Sequence, residues 1–232
     1  MSGIFGIVQL DGRPLQSHDL ESMRDALAHR GPDGGSIWVG ANAGLGQLML
    51  HTTPESLHEN LPRYDPKSGL VITADARIDN RADLLASLSL TGADSRDLPD
   101  SQIILAAFLR WGSSCAEHLL GDFSFVIWDA QRRKLFCARD HMGIRPLYYY
   151  QSGKLLVFAS SAQAVVSTPL VPERISDERV ADFLVGELEG VNNRCTFFQD
   201  VWRLPPAHTA EFSDLGFRVH FVGLVVFAAG GS

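Results

Sequence analysis

Short apolar runs of strand length, each closed by glycine, proline or a polar turn, recur along most of this chain and limit its fold more than any other feature. They include GIFGIV at residues 3–8, GLGQLML at 44–50, GLVITAD at 69–75, FSFVIWD at 123–129, KLFCARD at 134–140 and KLLVFAS at 154–160. Runs this short, rich in branched and aromatic residues, read as strands buried within sheets. FSFVIWD and KLFCARD, joined by the polar AQRR, form a candidate hairpin. LYYY and KLLVF form a second, with Gly153 in the connecting QSG. Segments at helical spacing lie between the runs. Leu20, Met23 and Leu27 share one face, and Ile103, Ile104, Ala107, Phe108 and Trp111 form a wider stripe behind the N-cap candidates Asp100 and Ser101. Residues 81–88 and 177–185 are further helix candidates, the latter capped by Ser176. Many strands with few intervening helices predict an α+β chain with antiparallel sheets, not alternating βαβ units.

Composition excludes several functional classes. The chain has 232 residues, 45% of them hydrophobic and 20% charged, so it can bury a sizeable core. Its 20 Lys and Arg against 27 Asp and Glu give a net charge of −7 with no long basic run, which argues against nucleic acid as a partner. Cys115, Cys137 and Cys195 are odd in number and lack a CxxC arrangement, fitting a reducing compartment. The N-terminus has no basic leader, and the apolar run at 221–230 falls short of the roughly 20 residues that cross a bilayer. The expectation is a cytoplasmic chain with no membrane partner. No metal-ligand spacing, GxSxG elbow or phosphate loop occurs, so neither a metal nor a cofactor is expected in this chain. HRGPDGG at 29–35 reads as a loop turning at Pro32-Asp33-Gly34.

Taken in order, MSGIFGI, HRGPDGG, GDFSFVIWD and ARDHMGIRPLYYY followed by VFASSAQAV resemble the N-terminal glutaminase domain of asparagine synthetases. The corresponding stretches of that class II glutamine amidotransferase family read MCGIFGI, RGPD, GxFAFxxxD and RDxxGxxPLYY followed by FASE. The likeness continues through FFQDVWRLPPAHTAEF and so covers residues 1–214, leaving 215–232 as a tail truncated before an expected ATP-binding synthetase domain. The resemblance implies an N-terminal-nucleophile αββα sandwich: two antiparallel sheets face to face, with helices outside. In such enzymes an N-terminal cysteine attacks the glutamine side-chain amide, and the released ammonia is used by a second, ATP-dependent domain.

The positions that would carry this chemistry have changed. Ser2 stands where the family has its cysteine. A thiol is partly ionised near neutral pH, whereas a serine hydroxyl needs full help from a general base, which a free α-amine could supply. Met49, followed by Leu50, occupies the place of the arginine that grips the substrate carboxylate, and a thioether cannot neutralise that charge. Asp75, Ala76 and Arg77 replace the family's Asn-Gly-Glu. An ionised aspartate has no N–H to offer an oxyanion, and losing one such donor typically costs about 10²–10³ in rate. Arg77 inverts the charge expected near the substrate ammonium. Asp100 is retained at the position that binds the substrate amine, with Gln102 replacing the following glutamate, although Asp100 could equally serve as a helix cap. The charged residues of ARDHMGIR are read as structural, fixing a turn between strands by ion pairing.

These changes imply a pseudo-glutaminase with a vestigial Ser2 that supports an ATP-dependent amide-forming ligase. ATP and magnesium would be bound by the missing synthetase domain. A lasso-peptide cyclase or β-lactam-synthetase-like parent would take its amine from its own substrate, bringing in a precursor peptide and a processing protease as partners. The alternatives are a residual amidohydrolase using Ser2 in a glutamine-hydrolysing asparagine synthase, and a free-standing binding module using the old cleft.

Overall fold

The computed structural model describes residues 1–90, 97–186 and 192–223. Most of the apolar run at 221–230 therefore lies outside the described residues. The strands in chain order are β1 (Gly3–Gln9), β2 (Gly35–Val39), β3 (Ala43–Leu48), β4 (Arg63–Asp65), β5 (Leu70–Ile78), β6 (Gly121–Asp129), β7 (Lys134–Arg139), β8 (Tyr148–Ser152), β9 (Leu155–Ala159), β10 (Val201–Arg203), β11 (His208–Ser213) and β12 (Gly216–Phe221). The helices are α1 (Glu21–Ala26), α2 (Arg81–Ser87), α3 (Asp100–Trp111), α4 (Ala162–Val166) and α5 (Asp177–Val185).

One sheet runs β10-β8-β9-β1-β3-β2 and the other β12-β11-β7-β6-β5-β4, with antiparallel neighbours in both. Alternation along each strand divides its side chains between two interiors. Ile4 and Val8 of β1 meet Val71, Val126, Trp128, Leu135 and Phe212 between the sheets. Phe5 and Ile7 point the other way, onto Leu20, Met23 and Leu27 around α1 and onto Ala164 and Val165 of α4. On the far face of the second sheet, Ile72, Phe125 and Phe136 pack under Ile103, Ile104 and Ala107 of α3. Helix, sheet, sheet and helix form four layers. Because the central strands are covered on both faces, they read as continuous apolar runs.

Both predicted hairpins form: β6 pairs with β7 from Ser124↔Arg139 to Asp129↔Lys134, and β8 with β9 from Tyr148↔Ala159 to Ser152↔Leu155. Gly153 turns the second with φ +55°. Ser176 caps α5, its hydroxyl accepting from Arg179 N–H at 3.3 Å. The start of α3 differs from expectation. Pro99 is the N-cap, extended at φ −60° and ψ 149°, while Asp100 is the first helical residue and its side chain makes no cap bond. Glu59 supplies the cap from another segment, accepting from Ser101 N–H at 3.0 Å and Ser101 Oγ at 2.5 Å. The second sheet continues past residue 214, where β12 pairs with β11 from Ser213↔Gly216 to His208↔Phe221. The thiols of Cys115 and Cys137 are buried, which pushes each up to about 12.

Phe5 lies opposite Gly46 in the β1–β3 register. A Cβ on Gly46 would stand 2.1 Å from Phe5 Cζ, so the ring occupies the space left by the missing side chain. Gly46→Ala is expected to destabilise the fold by about 1–3 kcal/mol, the usual range for overpacking a filled core. Urea unfolding checks this, and an unchanged midpoint would mean the ring can move aside.

Candidate functional site

At one pole of the sandwich, the residues before β1, the end of β3 and Ala74, Asp75 and Ala76 of β5 converge on a cavity of about 20 Å³, room for about one water. Ser2, immediately before β1, is 6% exposed and lines it. Its Oγ accepts from Leu50 N–H at 3.1 Å and lies 3.4 Å from the Leu50 carbonyl and 3.6 Å from Met49 Sδ. None of these neighbours is a base. The HRGPDGG loop turns as expected and ties down Met49: Met49 N–H donates to the Gly34 carbonyl at 2.7 Å, and Asp33 N–H to the Met49 carbonyl at 3.1 Å. Met49 is half-buried and also lines a neighbouring groove of about 200 Å³ with Asp33, His51 and Asn60.

Asp75 faces the same cavity from β5 and is 5% exposed. Its Oδ1 lies 3.4 Å from Arg145 Nη1, and its Oδ2 has no hydrogen-bond partner among the described residues. Burial raises its carboxyl above the ordinary value. The charges of Arg145, the N-terminal ammonium and Arg30, together with the Ser2 backbone N–H, oppose that rise.

Arg145 reaches Asp75 because its backbone is fixed at both ends. Asp140 accepts from Met142 N–H at 3.1 Å and from Ile144 and Arg145 N–H at 2.9 Å each. Arg139 donates to the carbonyls of Gly143 at 2.5 Å, Arg145 at 2.9 Å and Leu204 at 2.6 Å. The ARDHMGIR turn is thus held by charged side chains on backbone groups and not, as expected, by ion pairing within it. Its last arginine is delivered to the cavity instead.

Asp100 lines the cavity as well, but its carboxylate is engaged by Arg81 and accepts from Ile78 N–H at 3.2 Å. It therefore braces β5 against α3, a role different from the cap considered for it. Arg77 corrects the sequence expectation: it does not line the cavity, and turns outward to Asp79 at 2.9 Å and Asp122 at 3.4 Å. Strand alternation puts Asp75 and Arg77 on the same face of β5, but Asp75 is buried while Arg77, next to last in the strand, is exposed, with Asp79 and Asp122 in its reach. Ser2, Met49, Leu50, Asp75, Ala76 and Asp100 are all brought together. Sequence reasoning missed Arg145, Gln47 and Glu59. Gln47 was hidden within a strand run, and its Oε1 accepts from Thr73 Oγ1 at 2.9 Å.

A domain family described as "Glutamine amidotransferase domain" matches residues 1–221. Glutamine-hydrolyzing asparagine synthetase 3 of Bacillus subtilis (strain 168) is 26% identical over 225 residues, covering 94% of this chain and 36% of that protein. Amidase chyE of Penicillium rubens is 33% identical over 199 residues, covering 82% of this chain and 27% of that protein. Among solved structures, the glutamine phosphoribosylpyrophosphate amidotransferase from B. subtilis shares the fold with a TM-score of 0.65 at 17% identity, covering 96% of this chain and 49% of that one. The chain spans about a third of the length of the curated relatives it matches.

Two outcomes follow from the buried charges. Arg145→Gln removes the guanidinium 3.4 Å from Asp75 and is expected to cost about 3 kcal/mol, while Arg145→Gln with Asp75→Asn costs less than the single change; urea unfolding of the full cycle measures the coupling, and additive losses would deny it. Burial raises the Glu59 carboxyl above its ordinary value, so its contribution to stability is complete below that value and is lost as pH rises through the folded one. Glu59→Gln is therefore expected to gain on the wild type between pH 4 and pH 7. A constant difference in unfolding midpoint across that window would contradict the assignment.

Proposed function

We infer that this chain, which belongs to the glutamine amidotransferase domain family, is a glutaminase-type domain that no longer hydrolyses glutamine and serves as the structural partner of an ATP-dependent amide-forming ligase. The observation that carries this reading is Asp75, a buried carboxylate facing Ser2 where a hydrolase needs donors for a developing negative oxygen. Three further features support it. No base hydrogen-bonds Ser2 Oγ among the described residues. Met49 packs against that hydroxyl with no charge to offer a substrate carboxylate. With Met1 in place, the cavity at Ser2 has room for about one water.

The greater length of the curated relatives supports a larger protein in which ATP and magnesium are bound outside this chain. A ligase of this kind with no glutaminase must obtain its amine elsewhere. A parent that closes a substrate's own amine onto an activated carboxylate, as in lasso-peptide cyclases and β-lactam synthetases, fits that requirement, with a precursor peptide and its protease as the accompanying partners. The acid that accepts the amine is adenylated in such a scheme, and this domain holds no part of that step.

The test is glutamate release from glutamine by the purified chain, with Ser2→Ala as control. The expected result is no release above the control, for the wild type and for Ser2→Cys alike, because a better nucleophile does not restore the missing donors. Release that depends on Ser2 would overturn the reading in favour of a serine amidohydrolase.

A further inference from the structure

Asp75 and residue 2 share one small cavity, and the geometry between them has a use that the loss of glutaminase activity leaves open. The Ser2 backbone N–H favours the ionised Asp75 carboxylate, and Asp75 Oδ2 is buried without a hydrogen-bond partner among the described residues. The hydroxyl of Ser2 is anchored separately, on Leu50 N–H at 3.1 Å. Met1 precedes β1 and is 46% exposed.

We propose that Asp75 is the clamp of a processed amino terminus: hydrolysis of the Met1–Ser2 bond leaves a Ser2 ammonium that seats on the Asp75 carboxylate and is held there as a cation. Water adds across the amide, free methionine leaves with the carboxylate, and the Ser2 nitrogen takes up the proton; a methionine aminopeptidase supplies the catalysis. The new ammonium brings N–H donors to a buried carboxylate that has an oxygen to spare. The proposal rests on the reading that this site does not hydrolyse glutamine, and adds a reason: an amine held as a cation cannot take a proton from the Ser2 hydroxyl. The charged groups around residue 2 are Asp75 on β5, Arg145 from the β7–β8 connection, Arg30 from the turn after α1, Glu59 from the segment before β4 and Asp100 on α3. Glu59 and Asp100 are occupied by Ser101 and Arg81.

The test begins with the intact mass of the chain expressed in a cell, which is expected to lack methionine. The pH dependence of trace acetylation of the terminal amine by acetic anhydride, read on the N-terminal peptide, then gives its pKa in the folded protein. The expected value lies at least one unit above the ordinary 7.7–8.0 of an α-amine. Asp75→Asn should bring it back into that range, raising acetylation at pH 7 about tenfold. Arg145→Gln removes a competing cation and should shift the amine further upward, which keeps the test decisive if Asp75→Asn fails to fold. A retained methionine, an amine that titrates alike in wild type and Asp75→Asn, or no upward shift in Arg145→Gln would each overturn the clamp. Glutamate release, assayed in parallel, separates the two ideas. An unshifted amine with no release defeats the clamp alone, and Ser2-dependent release defeats the proposed function whatever the amine reads.

Discussion

The chain passes from one sheet to the other between β7 and β8, and that crossing is held by two adjacent buried charges bonded to backbone. Asp140 gathers three N–H groups and Arg139 three carbonyls. Asp140 N–H also donates to the Phe123 carbonyl at 2.8 Å, and its carbonyl accepts from Ala207 N–H at 2.9 Å. The knot thereby joins β6, the crossing and the segment before β11. Charges this deep are tolerated because each is surrounded by groups that would otherwise be unsatisfied themselves. The crossing has one geometry as a result, and Arg145 emerges from it at a fixed point on the pole of the sandwich.

That arrangement changes the meaning of an aspartate in the cavity. A carboxylate buried alone would shift toward its neutral form or destabilise the fold. Here a guanidinium comes from a different strand connection, and the amino terminus from a third direction. The pocket thus groups charges of both signs, with Asp75 facing Arg145 at 3.4 Å.

Much of the architecture was legible in the sequence, for a physical reason. Strands covered on both faces must be apolar throughout, so β1, β5, β6, β7 and β9 announced themselves as uninterrupted runs, and Leu20, Met23 and Leu27 revealed a helix through their spacing. The short edge strands β4, β10 and β12 carry fewer buried residues and gave no comparable signal. Within the site, the residues that line up along the chain with a known motif were found. Arg145 was not, because its role arises from a turn that points it across the sandwich, and no local spacing encodes that direction. Arg77 failed for the converse reason: it shares a face of β5 with Asp75 but stands near the strand's end, where that face is open to solvent.

The glycine beneath Phe5 has a consequence for the amino terminus. Sliding β1 along β3 by two residues in one direction would set the aromatic ring against the Leu48 side chain. In the other direction it would meet Gly44, where the space above the backbone is already filled by Leu20. Neither slip is open, so the strand has a single seat. The distance between the second residue and the backbone at position 50 is therefore set by a missing side chain on β3, opposite the third residue of β1, much as a key's depth in a lock is set by its shoulder rather than by its tip.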